Sequence, residues 1–160
     1  MTADMFDACG LFEIAEQIER NGAKFYRKAA EIFDDDGLCG TLRKLANWEI
    51  EHGHIFAGMR EQLLDLGHAL GVPNPEQNVN DPKVMAGLAA FGIRPDPRGE
   101  LTGTESRTDI LRRALEKEKE SITFYEGLKD FAADEAGKDT IDDIIKEEMR
   151  HIGILNELLR

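Results

Sequence analysis

All five prolines of this 160-residue chain lie in one central stretch, at positions 73, 75, 82, 95 and 97. Because proline breaks the interior of a helix, long helices are confined to the segments on either side of this stretch. In both flanking segments apolar residues recur at alternating steps of three and four, which is typical of a helix that buries one face. The sequence therefore predicts an all-α protein with two helical halves joined by a linker.

The apolar spacing predicts four helices, at about residues 11–33, 41–66, 107–131 and 138–160. Asp34-Asp35-Asp36-Gly37 is predicted to end the first helix, and Thr41 or Gly40 to cap the second. The segment Thr104 to Asp109 is rich in capping residues and is predicted to lead into the third helix.

The predicted linker, residues 70–106, contains a short predicted helix after Asp81-Pro82. A linker of this length can run back along a whole bundle. Helices two and three are therefore expected to be parallel, which is a four-helix bundle with one long crossover. We expect residues 1–160 to form a single domain of two helix-pair repeats, about 11–66 and 107–160.

The two halves align without a gap when the chain is shifted by 99 residues against itself. Identical residues then pair as Ala15/Ala114, Glu19/Glu118, Phe25/Phe124, Tyr26/Tyr125, Asp35/Asp134, Thr41/Thr140, Glu49/Glu148, His52/His151 and Ile55/Ile154. Two glutamates and one histidine in each half are thus kept in register.

Six polar residues lie on the predicted buried faces of the helices: Glu19, Glu49, His52, Glu118, Glu148 and His151. Four ionised carboxylates in an apolar bundle would each cost several kcal/mol. Two divalent cations would neutralise four carboxylates, and each could take one imidazole nitrogen. The sequence therefore predicts a dinuclear metal site with these six residues as ligands, which would also make them the catalytic residues.

Spacing and ligand type narrow the choice of metal. In each Glu-x-x-His pair the two side chains lie on one helix face, three residues apart. Carboxylate and imidazole without thiolate suit iron or manganese, and zinc is compatible on ligand type alone. One Glu from each of two helices and Glu-x-x-His from the other two form the dinuclear carboxylate site of ferritin-like bundles.

Four segments resemble the four helices of rubrerythrins, a family of the ferritin-like superfamily. They are residues 15–26, 45–52, 114–125 and 146–151. The resemblance implies a ferritin-like four-helix bundle with two iron ions in an Fe–O–Fe type site that reacts with hydrogen peroxide or dioxygen. It also implies that Glu19 and Glu118 are terminal ligands, that Glu49 and Glu148 bridge, and that each histidine completes one iron.

The chain departs from that family at two points. Rubrerythrins typically carry a further glutamate three residues after the ligand of the third helix, and this chain has Ser121 there. The site is accordingly more symmetric, as in bacterioferritins, which puts family-type peroxidase cycling in question. The two cysteines, Cys9 and Cys39, cannot supply the four thiolates of a rubredoxin iron. We therefore expect an external electron donor, such as a rubredoxin-type protein.

Three functions follow from this reading. The first is a non-haem diiron oxidoreductase that acts on peroxide or dioxygen. The second is a ferroxidase or iron-storage protein that binds Fe(II), oxidises it and keeps it or passes it on. The third is a manganese site with catalase-like chemistry.

The formal net charge of −12 disfavours a nucleic-acid or anionic-membrane partner. The sequence shows neither a basic leader nor a run of about 18 apolar residues, so a cytoplasmic location without membrane contact is expected. The long linker could reach a neighbouring chain, and a homodimer is therefore expected.

Several further residues have two interpretations. Tyr26 and Tyr125 lie seven residues after Glu19 and Glu118, where they could hydrogen-bond a ligand carboxylate or simply pack in the core. Glu147 could orient an imidazole or pair with Arg150 or Lys146 at the surface. Trp48 is expected to pack in the core or in an interface, and Glu51 and His54 are expected to face solvent.

Overall fold

The structure, a computed structural model, describes residues 2–71 and 101–160. These residues form four α-helices and no strand, and the all-α prediction is confirmed within this part of the chain. The helices are α1 (Thr2–Ile32), α2 (Asp36–Ala69), α3 (Arg107–Leu128) and α4 (Glu135–Leu159). A short 3-10 turn, Lys129–Phe131, follows α3.

The predicted start of the second helix is wrong by five residues. The carboxylate of Asp35 accepts a hydrogen bond from the Leu38 backbone N–H at 2.8 Å, so Asp35 caps α2. Neither Gly40 nor Thr41 caps the helix, because both lie inside it, and Gly37 continues the first turn. An acidic side chain that can bond a free N–H outweighs the tendency of glycine to end a helix.

Other helix ends differ from the predicted ones for similar local reasons. α1 begins nine residues earlier than predicted, and its added part includes the buried residues Ala8 and Cys9. α4 begins three residues earlier, where the side chain of Asp134 accepts from the Gly137 N–H. The capped start of α3 is as predicted, with Ser106 and Asp109 forming a reciprocal capping box.

Contacts between the halves give the helix directions. Tyr26 of α1 bonds Glu118 of α3, and Tyr125 further along α3 bonds Glu19 earlier in α1, so α1 and α3 are antiparallel. Residues 33–35 join α1 to α2, and so short a connection makes those two helices antiparallel. Helices α2 and α3 therefore run in the same direction, which confirms the one-crossover bundle.

Two separate apolar clusters fill the two ends of the bundle. One packs the first part of α1 and the second part of α2 around Phe12, Phe56 and Tyr125. The other packs the opposite ends of the helices around Leu42, Leu45 and Ile110. The layer between these clusters holds the polar side chains that the two halves carry at matching positions.

The predicted short helix after Asp81 and most of the linker lie outside the described residues. The organisation of residues 1–160 as one domain stays a prediction for the same reason. None of the helices in the described ranges has a stretch long and apolar enough to cross a bilayer.

Candidate metal centre

The structure brings all six predicted side chains together in the middle of the bundle. Each of the six is at most 5% exposed. They form two overlapping groups in which one ligand atom per residue lies within 4.8 Å of all the others. The groups are Glu19, Glu49, His52 and Glu148, and Glu49, Glu118, Glu148 and His151. Because Glu49 and Glu148 belong to both groups, their carboxylates lie between two candidate ion positions.

The histidine rings face the cluster with the same nitrogen. Nδ1 of His52 lies 2.9 Å from Glu148 Oε1 and 3.7 Å from Glu19 Oε2. Nδ1 of His151 lies 2.8 Å from Glu148 Oε2 and 3.5 Å from Glu49 Oε1. The two rings stack at 5.8 Å between centroids, so both imidazoles present Nδ1 to the same small volume.

Both tyrosines hydrogen-bond a carboxylate of the opposite half. Tyr26 donates to Glu118 Oε1, and Tyr125 donates to Glu19 Oε1. In Glu19 the other oxygen, Oε2, faces His52 at 3.7 Å, whereas in Glu118 the bonded Oε1 itself lies 3.7 Å from His151 Nδ1. The interpretation of the tyrosines as carboxylate partners is therefore the one that the geometry favours.

Unsatisfied atoms show that the cluster suits a cation. Among the described residues, four buried side-chain atoms make no well-directed hydrogen bond: Glu19 Oε2, Glu49 Oε1, Glu148 Oε2 and His151 Nδ1, the last two forming a close ion pair with each other at 2.8 Å. All four belong to the predicted ligands. Buried polar atoms are normally paired, and an unpaired group signals a missing ion or water. Carboxylate oxygens and imidazole nitrogens are a donor set that fits iron or manganese, so the residues present fit a dinuclear metal site.

Without a bound cation, three glutamates of the cluster bind protons more strongly than free glutamate side chains do. Burial raises the pKa of Glu19 to about 7 and that of Glu118 to about 8. Burial also raises the pKa of Glu49 well above its usual range, and the charge of Glu19 adds to this. Carboxyl groups that remain protonated near neutral pH reduce the negative charge that the bundle must bury.

The histidines balance the rest of that charge. Burial lowers their pKa, but the surrounding carboxylates outweigh it and raise the pKa of His52 to about 11 and of His151 to about 12. Burial would raise the pKa of Glu148, yet its contacts with both imidazoles hold it well below the usual range. Bound divalent cations would replace these protons, because metal ligands must be deprotonated.

Glu147 has a larger role than a surface ion pair. Its Oε2 lies 2.8 Å from His52 Nε2, on the side of the ring away from the cluster, and its Oε1 lies 3.1 Å from an Arg150 nitrogen. Both interpretations of this residue therefore hold. At the matching position of the other half, Trp48 stacks on His151 at 5.2 Å between centroids with 17° between the ring planes.

Sequence reasoning undervalued both residues. The signal that could have found them is the repeat itself, since position 48 aligns with position 147 and each directly precedes a glutamate of the cluster. The overlapping pair Glu51 and His54 is exposed and forms no part of the cluster, in agreement with its expected solvent position.

Gly22 makes room for a carboxylate. A Cβ added to Gly22 would lie 2.1 Å from Glu49 Oε2, so any larger residue would displace this oxygen. The matching position carries Ser121, whose hydroxyl donates to the Lys117 carbonyl at 2.9 Å and thus bonds its own helix.

A pocket of about 60 Å³ lies between α1 and α3 beside these two small residues. Its lining extends from the exposed Lys117 and Glu120 to the buried Glu49 and Glu118. The pocket therefore connects the surface of the bundle with the cluster, and its volume suits molecules of a few atoms.

Comparisons with known proteins support the fold. No protein-family model matches the sequence, and no curated protein matches it at a significant level. Similar solved structures include a ferritin-like diiron-carboxylate protein from Thermotoga maritima, with a TM-score of 0.67 and 22% identity over 96% of this chain and 94% of that one. They also include a ferritin-like diiron-carboxylate protein from Bacillus anthracis strain Ames, with a TM-score of 0.61 and 19% identity over 100% of both chains. The chain therefore has the ferritin-like four-helix fold.

Proposed function

We propose that this protein is a non-haem diiron oxidoreductase that acts on hydrogen peroxide or dioxygen. The observation that carries the proposal is the pair of overlapping ligand groups, which contain every buried side-chain atom of the described residues that lacks a well-directed hydrogen bond. Solved structures of the same fold are described as diiron-carboxylate proteins, which supports iron as the metal.

In this proposal each residue has a distinct task. Glu49 and Glu148 would hold both ions, because each belongs to both groups. Glu19 with His52 would complete one ion position, and Glu118 with His151 would complete the other. Each tyrosine holds one oxygen of Glu19 or Glu118, so these carboxylates keep their orientation when the charge of the site changes.

When bound, two iron ions supply the two electrons that cleavage of an O–O bond requires. The chain itself controls which molecules reach the cluster. The pocket beside Gly22 and Ser121 admits molecules of a few atoms, whereas the apolar clusters at both ends of the bundle keep bulk water from the cluster. This combination supports peroxide or dioxygen as the substrate in preference to a bulky organic molecule.

Ser121 supports a second candidate function, that of a ferroxidase or iron-storage protein. Its hydroxyl is bonded to a backbone carbonyl of its own helix, so the position offers no seventh ligand. A symmetric set of six ligands suits oxidation of Fe(II) followed by release or storage of the ferric product.

Sustained turnover requires electrons from outside. The two cysteines of the chain are too few for a four-thiolate iron site, and we propose a separate donor such as a rubredoxin-type protein. The homodimer, which the long linker would allow, stays a prediction.

Anaerobic titration with Fe(II), followed by peroxide and an artificial reductant, tests both functions. We expect two Fe(II) per chain at saturation. Many peroxides reduced per site would support the oxidoreductase, whereas consumption in proportion to bound iron would support the ferroxidase. Saturation at fewer than two Fe(II) per chain would contradict both, and metal analysis of the natively expressed protein would identify manganese or zinc if either replaces iron.

A further inference from the structure

The two histidines of the cluster contact different residues outside the ligand set. Nε2 of His52 contacts a carboxylate oxygen of Glu147 at 2.8 Å. The ring of His151 is covered by the indole of Trp48, 17° from parallel. Positions 48 and 147 match in the repeat, so the two halves carry different residues at equivalent points next to the cluster.

We propose that the two metal positions are unequal, and that Glu147 is a positioning residue that makes the position of His52 the tighter one. This inference rests on the proposed function, because it requires two bound ions. Glu147 would act through His52 and not as a ligand itself, since the imidazole lies between its carboxylate and the cluster.

A carboxylate behind a ligand imidazole has two effects. It accepts the proton on Nε2, so that the lone pair of Nδ1 faces the cluster, and it makes the ring a stronger electron donor to a cation. Arg150 contacts the other oxygen of Glu147 and keeps this carboxylate in place although 40% of its side chain is exposed.

An indole stacked on the ring acts differently. Trp48 restricts the plane of the His151 imidazole, but the two rings are nearly parallel, so the N–H of His151, which lies in its ring plane, does not point at the indole. Within the described residues, Nε2 of His151 has no carboxylate partner that corresponds to Glu147. The imidazole of His151 is therefore the weaker donor, and the ion that it binds should leave first.

Titration with Co(II), followed by calorimetry and by visible absorption, tests the inference without catalysis. We expect two binding steps in the unmodified chain that differ by about 10-fold or more in affinity. Glu147→Gln keeps the size of the side chain but removes its charge, and it should weaken the tighter step by about 10- to 100-fold. The absorption bands of the first Co(II) equivalent should also shift, because they report the ligand field of the position that fills first.

Glu157→Gln is the matched control. Glu157 lies on the same helix, undergoes the same loss of charge and pairs with Arg160 at 3.0 Å away from the cluster. It should leave both steps and the absorption bands unchanged. Trp48→Phe keeps an aromatic ring against His151 and should leave the tighter step unchanged.

Two outcomes would overturn the inference while the proposed function stands. The first is two Co(II) ions bound with equal affinity by the unmodified chain. The second is equal weakening of both steps by Glu147→Gln with no effect of Glu157→Gln. Saturation at fewer than two Co(II) would contradict the inference and the proposed dinuclear site together.

Discussion

The hydroxyl of Tyr26 on α1 donates a hydrogen bond to Glu118 on α3, so a side chain of the first half fixes a candidate ligand of the second. Tyr26→Phe would leave a buried oxygen of Glu118 unpaired, which costs about 1–3 kcal/mol. We expect the free energy of unfolding of the metal-free protein to fall by this amount, and metal affinity to fall by about 10-fold. Denaturant unfolding and metal titration measure the two effects.

A double-mutant cycle with Glu118→Gln separates this bond from general packing at Tyr26. The two changes should be non-additive if the hydroxyl acts on that carboxylate. Additive losses would show that the tyrosine stabilises the core independently of the site.

Glu148→Ala should weaken both metal positions, because this carboxylate contacts the imidazoles of both His52 and His151. Glu118→Ala should weaken mainly one position, and Glu51→Ala on the exposed face of α2 should weaken neither. Metal content after equilibrium dialysis gives the comparison. Retention of two tightly bound ions by Glu148→Ala would exclude the bridging role.

Gly22→Ala should lower the metal affinity while the protein still folds. A new Cβ would displace Glu49 Oε2, the end of a flexible side chain, so the fold can adjust but the candidate ligand moves. Gly58→Ala is the control, because a Cβ there meets nothing within 4 Å in the described part of the chain. We expect Gly58→Ala to stabilise α2 by about 0.5–1 kcal/mol without changing metal affinity, and Gly22→Ala to lower that affinity.

Lower metal affinity in Gly58→Ala as well would mean that any extra helix stability opposes binding. The empty space next to Gly22 would then have no specific part in seating Glu49.

The metal-free protein should lose stability as the pH rises from about 5.5 to 8. Glu19 and Glu118 have folded-state pKa values raised to about 7 and 8, so the folded form holds protons that the unfolded form releases above its pKa of about 4.5. His52 and His151, raised to about 11 and 12, add a loss that begins above the unfolded pKa of about 6.5. Glu148 is lowered below its usual range, so its contribution is already complete in this window and does not oppose the trend.

Bound metal should reverse this trend, because deprotonated ligands bind cations more strongly at higher pH. The difference in melting temperature between the loaded and metal-free forms should therefore grow across the same pH range. A difference that shrinks as the pH rises would show that proton release does not accompany binding.

Ser121→Glu should shift the balance between the two candidate functions. The new carboxylate would lie one helical turn after Glu118 and beside the pocket, within reach of a bound ion. We expect a gain in peroxide turnover with a supplied reductant, measured against Ser121→Ala. Rapid turnover by the unmodified protein and slower turnover by the glutamate variant with equal metal content would show that Ser121 is no deficit.

The fold and the six clustered residues could be predicted because their signals are local or periodic. Helix periodicity places Glu19 on a buried face, and the repeat selects Glu118 as its equivalent. A buried carboxylate needs a compensating charge wherever the helices pack, so the metal prediction did not depend on exact packing.

The remaining features depend on the packed bundle. Glu147 and His52 are 95 residues apart, and only the antiparallel contact of α2 with α4 brings them together. The cap at Asp35, in contrast, could have been predicted from the sequence, because the repeat pairs Asp35 with Asp134, the cap of α4. Gly37 lies in the first turn of α2, although glycine more often follows the end of a helix.

The matching of the two halves also bears on how such a chain could acquire an uneven site. Two separate copies of one helix pair, associated around an axis, would carry the same residue at both matching positions. Either two acids or two indoles would then contact the imidazoles. Joining the copies in one polypeptide removes this restriction, and position 48 is tryptophan while position 147 is glutamate. Covalent fusion thus lets a single amino-acid replacement alter one half of a dinuclear centre without altering the other.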